Sequence, residues 1–429
     1  MGLVVAVWLL VVASGLLLEL LEARHRARHG HTVPPELAGV VEAGTLGRIA
    51  GYAGDKARLR IVHGLVANAI VGLFVFGGGL AALDAVTHPR SREILVDPHL
   101  GSFLGEGLLF AGTLVVLASL LELPFGWWAD FRLEARHGFN RSTPRLWIMD
   151  RVKATVVSLV LAALATAAAL ALVWWRPDVW WLWVWGFVVA FSVFLLYISP
   201  LVIEPLFYRF QPVTMPDLAE RLRALAERAG LHVDRVLQVD ASRRSGHSNA
   251  YFTGIGRVKR IVLFDTLLGA LAPGEIEAVL AHEIGHWRLH HIRRRLIANA
   301  IVSLVGLWVV FQLVRWPGLP GLVGVDVASL PARAVIVGFL ASLGSLPTSP
   351  LVSWLSRRDE RAADRYASRL TGRPGDLAAA LARLARDNLA TLYPHPVYAW
   401  FFHSHPPVAE RIRGLRALER SGAAGGSVR

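Results

Sequence analysis

Residues 279–291 read VLAHEIGHWRLHH. On an α-helix, positions i and i+4 share a face, so His282 and His286 can offer imidazole nitrogens to one ion while Glu283 lies beside it. A catalytic zinc normally keeps three protein ligands and one open position, where it lowers the pKa of water to about 7. Glu283 is then placed to accept that water's proton and pass it to a leaving amine. With 16 histidines and 32 acidic residues in 429, such a spacing can arise by chance. The helical AVLA before it argues for a built site, and Gly285 is expected to leave room near the ion. The chain has no Cys, so disulfides, thiolate nucleophiles and cysteine metal sites are excluded. A third ligand must be a His or a carboxylate.

The stretch SWLSRRDERAADRYASRL, residues 353–370, supplies candidates. Glu360 and Asp364 sit at i and i+4 of an apparently helical segment. Glu360 is read as the third ligand and Asp364 as the carboxylate that receives a ligand's other ring N–H. Asp359 competes for the ligand role, and acids among these arginines also suit an ordinary solvated ion-pair face.

The elements that position these residues are mostly apolar. Of the 429 residues 54% are hydrophobic, too many for a soluble domain, so several bilayer spans are expected. A span needs about 20 apolar residues. Gly64–Leu83, Ala154–Trp175, Val179–Ile203, Leu296–Val314 and Ala334–Leu355 qualify without a charge. Leu100–Leu121 carries Glu106, and Gly2–Leu18 is short but lacks the basic start and small-residue cleavage site of a signal peptide. Seven spans follow.

The net charge of +13 would suggest nucleic acid in a soluble protein; here its distribution decides. Arg90, Arg92, Arg176, Arg315 and Arg333 fall on one side, and the other 40 of the 45 basic residues fall on the opposite side. That asymmetry places the N-terminus outside, and both Glu204–Arg295 and the tail after Leu355 in the cytoplasm. Lysines are confined to Lys56, Lys153 and Lys259, which with abundant Ala suggests a GC-rich bacterial genome and an inner-membrane location.

Within the polar segments, PDLAERLRALAERAG reads as an amphipathic helix from Pro216 to a stop at Gly230. RVLQVD, HSNAYFTGI and RVKRIVLFD read as short strands. The HEIGH helix starts near Pro273 and is expected to continue into span six, with His290 and His291 facing a pore or an interface. LEARH occurs at 21–25 and 133–137, too few copies for a repeat, and SGAAGGSVR at the C-terminus is expected to be disordered. The fold class is mainly α: a multi-pass membrane protein of about seven helices with a small α/β insert. Its parts are residues 1–203 (spans one to five), 204–295 (catalytic insert), 296–355 (spans six and seven) and 356–429 (cytoplasmic tail).

HEIGHW, SRRDERAAD, SGHSNAYFTG, HSHPPVAERI and EARHGFNRSTPRLWIMDRVK occur here in the order seen in the type I CAAX prenyl proteases, and the chain resembles that family from about Phe125 to Arg413. The resemblance implies a zincin-like catalytic insert on the cytoplasmic side and one Zn2+ per chain facing a chamber between the helices. It implies His282, His286 and Glu360 as ligands, Glu283 as base, and Asp364 as support for the ligand shell. Asn249, Ala250 and Tyr251 would form an edge strand that pairs with an extended substrate. His405 would hydrogen-bond the oxyanion, and Arg411 would hold that segment or the site's carboxylates. His403 is left without a role. The expected partners are the bilayer and a peptide or protein substrate, lipidated or not, and no nucleic acid. The alternatives are a membrane-protein quality-control peptidase and, from another class, a non-catalytic zinc-bound scaffold or chaperone, against which the intact Glu283 argues.

Overall fold

The computed structural model describes residues 1–88, 96–233, 235–253 and 260–426. Arg90, Arg92, Gly254, Ile255, Lys259 and the last three residues lie outside them. Helices α1 (Gly2–His29), α2 (Ala43–Phe76), α3 (Gly79–Thr87), α4 (Leu100–Trp128), α5 (Pro144–Trp175) and α6 (Trp180–Ile198) form the N-terminal membrane half. A π-helical turn, Ala129–Glu134, extends α4. Another π-helical turn, Ser199–Ile203, links α6 to the short α7 (Glu204–Phe207).

The polar insert follows: β1 (Phe210–Pro212), α8 (Pro216–Arg228), β2 (Arg235–Val239), β3 (Ala250–Thr253), β4 (Arg260–Phe264) and α9 (Asp265–Ala270). Next come α10 (Pro273–Arg288), α11 (His291–Arg315), α12 (Leu330–Leu343) and α13 (Ser345–Thr371). The chain closes with α14 (Pro374–Asp387), α15 (Pro396–Phe402) and α16 (Val408–Gly426).

Among the described residues six helices are long and apolar enough to cross a bilayer, or seven if α12 and α13, bent by 60°, are counted as one span. Their outward faces carry Leu, Val and Trp in the open, as lipid-facing helices do: Leu3, Leu73 and Val302 are each at least 70% exposed. Two expected spans differ in detail. Gly64–Leu83 is not one helix, because Gly78 takes φ +88 and separates α2 from α3; three consecutive glycines make that left-handed turn cheap. Ala334–Leu355 is bent by 60° at Gly344, where α13 begins.

The sheet runs β1-β2-β4-β3, with β2 and β4 parallel and β1 and β3 antiparallel to their neighbours. Helix α8 buries Leu218, Leu222 and Leu225 in a core shared with Ile261 and Leu263 of β4 and Ile276, Leu280 and Ile284 of α10. β3 is an edge strand, and Tyr251 lies opposite Val262.

Two further expectations are corrected. Helix α10 does not run on into span six: it ends at Arg288, His290 adopts φ +58, and α11 starts afresh at His291. Residues 421–426 of the stretch expected to be disordered continue α16 to Gly426, although three of the six are Gly, a poor helix former.

Candidate metal centre

Helix α10 buries its ligand-bearing face against α13, and the approach is set by Gly285. A Cβ built there would lie 3.2 Å from both the Cα and the carbonyl oxygen of Ala363, and 3.3 Å from Cβ of Tyr366. Gly285 therefore makes room for the neighbouring backbone, not for the ion as the sequence suggested. Because α13 runs at this close spacing, Glu360, one turn before Ala363, faces the two imidazoles.

One ligand atom from each of His282, His286 and Glu360 lies within 4.8 Å of the other two. The two Nε2 atoms are 3.1 Å apart. His282 Nε2 is 3.3 Å and His286 Nε2 3.2 Å from the Glu360 carboxylate. Glu360 Oε2 is buried with no well-aligned hydrogen-bond donor, although His282 and His405 come within ion-pair distance of it. That surplus acceptor capacity, together with two nitrogens and an oxygen converging on one point, fits a divalent cation.

The outer nitrogens fix the tautomers. His282 Nδ1–H donates to Asp364 Oδ1 at 2.8 Å, leaving the Nε2 lone pair for an ion. Asp364 in turn accepts from Arg411 Nε at 2.9 Å and from its terminal nitrogen at 2.7 Å. Arg411 also approaches His282 Nδ1 at 3.4 Å, but two donors face each other there and no hydrogen bond forms. Burial pushes the His282 pKa down; the Asp364 and Glu360 carboxylates beside the ring outweigh it and raise the pKa to about 9. Burial likewise opposes the Arg411 charge, and the pair with Asp364 more than restores it.

Glu283 is half-buried beside His282, near enough to Arg411 to act on its charge. His405 is exposed and sets Nδ1 2.8 Å from Glu360 Oε2. The Asn249 carbonyl accepts from Phe264 N at 3.0 Å, so this segment is pinned to β4 on one side only. Tyr251 turns its hydroxyl to Glu204, donating at 2.9 Å, and Phe252 packs on Trp287 with ring centroids 5.5 Å apart. β3 thus rides on the metal-site helix. Asp359, the competing ligand, instead accepts from Arg294 and Arg295, at 2.8 and 3.4 Å.

The sequence put His291 at a pore or an interface and gave no role to Arg357; both lie at the site. His291 is buried, with Nδ1 2.9 Å from His286 Nδ1 and Nε2 3.6 Å from Asp359. Arg357, also buried, donates to the carbonyls of Ala399, Trp400 and His403, which ties the end of α15 to α13 just before His405. Ser353 Oγ adds a bond to Phe401 O at 2.8 Å. A cavity of about 730 Å3 is lined by Lys56, Arg60, Glu134, His247 and His403, among others.

Residues 22–209 match the family model described as CAAX prenyl protease N-terminal, five membrane helices, and residues 212–419 match Peptidase family M48. CAAX prenyl protease 1 homolog of Arabidopsis thaliana is 31% identical over 390 residues, 90% of each chain. CAAX prenyl protease 1 of Saccharomyces cerevisiae is 32% identical over 411 residues, 89% of this chain and 88% of the relative. An uncharacterized metalloprotease of Bacillus subtilis, YhfN, is 31% identical over 73% of this chain and 74% of its own. The crystal structure of S. mikatae Ste24p superimposes with a TM-score of 0.85 and 28% identity, covering 97% of this chain and 99% of that one. With both halves matched in order and the fold shared end to end, the chain belongs to peptidase family M48, in its CAAX prenyl protease branch, as an integral membrane metalloprotease.

Proposed function

We propose that the ion is zinc, one per chain, held by His282, His286 and Glu360, and that the enzyme hydrolyses peptide bonds by water attack without a covalent intermediate. Zinc bound there would supply a Lewis acid and water activated near neutral pH. Glu283 accepts the water's proton and returns it to the leaving amine. Asp364 holds His282 in its metal-binding tautomer, and Arg411 holds Asp364. His405, whose Nδ1 lies 2.8 Å from Glu360, would yield that carboxylate to the ion and turn a ring N–H to the oxyanion. The substrate backbone adds to the outer edge of β3 along Asn249, Ala250 and Tyr251.

Substrates are membrane-associated or lipidated peptides, prenylated ones among them, as the relatives' name suggests. They reach a chamber between the helices from the cytoplasmic side of a bacterial inner membrane, an orientation supported by the 40 basic residues on the catalytic side. The insert at 204–295 and the tail at 356–429 work as one catalytic unit, supported by the contact of α10 with α13.

The convergence of His282, His286 and Glu360 within 4.8 Å beside Glu283 carries this reading. Its test is cleavage of a fluorogenic peptide in detergent. Glu283→Gln is expected to lower kcat by about 10²–10⁴-fold while metal content stays at wild type, and chelation should abolish turnover until zinc is restored. Equal turnover of Glu283→Gln and wild type would remove the mechanism.

A further inference from the structure

Where α4 leaves the apolar layer, its last turns and the basic half of α2 enclose a second cavity of about 670 Å3, within the roughly 300–1,000 Å3 of small-molecule sites. Arg58, Arg132 and Arg136 line it, with one acid, Asp55. That acid is already engaged: it accepts from Arg136 at 3.0 Å and lies 3.1 Å from His137 Nε2. Arg58 and Arg132 are exposed and have no acidic partner among the described residues. Two guanidinium groups from different helices therefore share one concave space, the arrangement that recognises a phosphate.

The walls decide what carries the phosphate. Trp127 and Trp128 line the cavity at 40% and 42% exposure, and Trp127 stacks on Phe131 with ring centroids 4.1 Å apart. Indole rings at the end of an apolar helix mark the headgroup level of a bilayer. One turn or two back along α4, Leu117, Leu120 and Leu121 are exposed at 43%, 56% and 43%, an apolar track leading away from the arginines. A free phosphate would use the arginines and leave this track unexplained, whereas a phospholipid uses both.

We propose that this cavity binds the headgroup phosphate of one anionic phospholipid, bridging α2 and α4 in the leaflet on the catalytic side, with an acyl chain along α4. The site is separate from the metal centre and does not depend on the identity of the peptide substrate.

Native mass spectrometry of the full chain in detergent, titrated with phosphatidylglycerol, phosphatidylcholine or sodium phosphate, tests it. Wild type is expected to retain one phosphatidylglycerol about tenfold more tightly than phosphatidylcholine, and Arg58→Gln/Arg132→Gln to lose that preference. Arg176→Gln/Arg315→Gln, at the opposite helix ends, should keep it. The single variants Arg58→Gln and Arg132→Gln read the same loss in part should the double variant fail to fold. Equal retention of the two lipids by wild type, or an undiminished preference in both Arg58→Gln and Arg132→Gln, overturns the proposal. Displacement of the lipid by low-millimolar sodium phosphate overturns the lipid assignment.

Discussion

With Nε2 of His286 turned toward the ion, its Nδ1–H is left to donate to His291 Nδ1, 2.9 Å away, and His291 then directs its own Nε2–H at Asp359. Each imidazole of the metal site is thus backed from behind, His282 by a carboxylate and His286 by a second imidazole. His291→Ala is expected to weaken zinc affinity by about 10–100-fold, with His291→Gln partly restoring it, measured by competition with a chromophoric chelator. Full affinity in the Ala variant would make His291 a packing residue. The raised pKa of His282 gives a second expectation. A group held near 9 is protonated in the metal-free protein at pH 7.5, so zinc must displace that proton. About one proton per zinc should appear in a weakly buffered dye assay, and affinity should fall as pH drops; no release would mean that the imidazole is already neutral.

The sequence made His282, Glu283 and His286 legible because helical spacing alone aligns them. Glu360 and Asp364 were half legible: their i, i+4 spacing was visible, but so was Asp359, which in the fold lies on Arg294 and Arg295. His291 was hidden by the left-handed His290, a conformation that its residue type does not announce. In a continuous helix His291 would point away from His286. Arg357 had a signal that went unread, since Ser353, Arg357, Glu360 and Asp364 recur at helical spacing and are all buried.

At the level of elements, the separation of the ligands is a distance between two backbones. Gly285 meets Ala363 with no side chain between them that could yield. Gly285→Ala should therefore push α10 from α13, costing about 1–3 kcal/mol of stability and loosening zinc, read as a lower thermal midpoint and faster metal loss to a chelator. An unchanged midpoint and unchanged retention in Gly285→Ala would show that the contact gives way without effort.

The two LEARH segments also acquire a purpose here. Glu22 accepts from the backbone N–H of His395 at 2.7 Å, while Glu134 accepts from Tyr52 at 2.7 Å and faces His247 at 3.1 Å. Each ties a membrane helix to the catalytic unit, one to the stretch before α15 and the other to the stretch before β3. Sequence alone could show that the pentapeptide recurs, but not that its acids meet partners more than a hundred residues away.

For the molecule as a whole, hydropathy revealed the number of crossings better than their shape. It could not foresee that Gly78 and Gly344 would break two of them, since both glycines lie within apolar runs. The handedness of insertion is open to a clean experiment because the chain contains no Cys. A single cysteine replacing Arg228 should react with an impermeant maleimide only in inside-out vesicles, and one replacing Asp178 only in right-side-out cells. The reverse pattern would invert the proposed orientation and place the catalytic unit outside.

The left-handed joint at His290 bears on how such an enzyme tolerates its surroundings. Hydrophobic helices tilt to match bilayers of different thickness. Had α10 and α11 formed one rod, every change of tilt would swing the zinc ligands through the same angle. With the helical ladder interrupted between them, α11 can lean while α10 keeps its seat on α13 and the sheet. The outer turns of α11 would then follow membrane thickness with a smaller swing at the metal site than a single rod would transmit, while its first turn stays on Asp359 through Arg294 and Arg295.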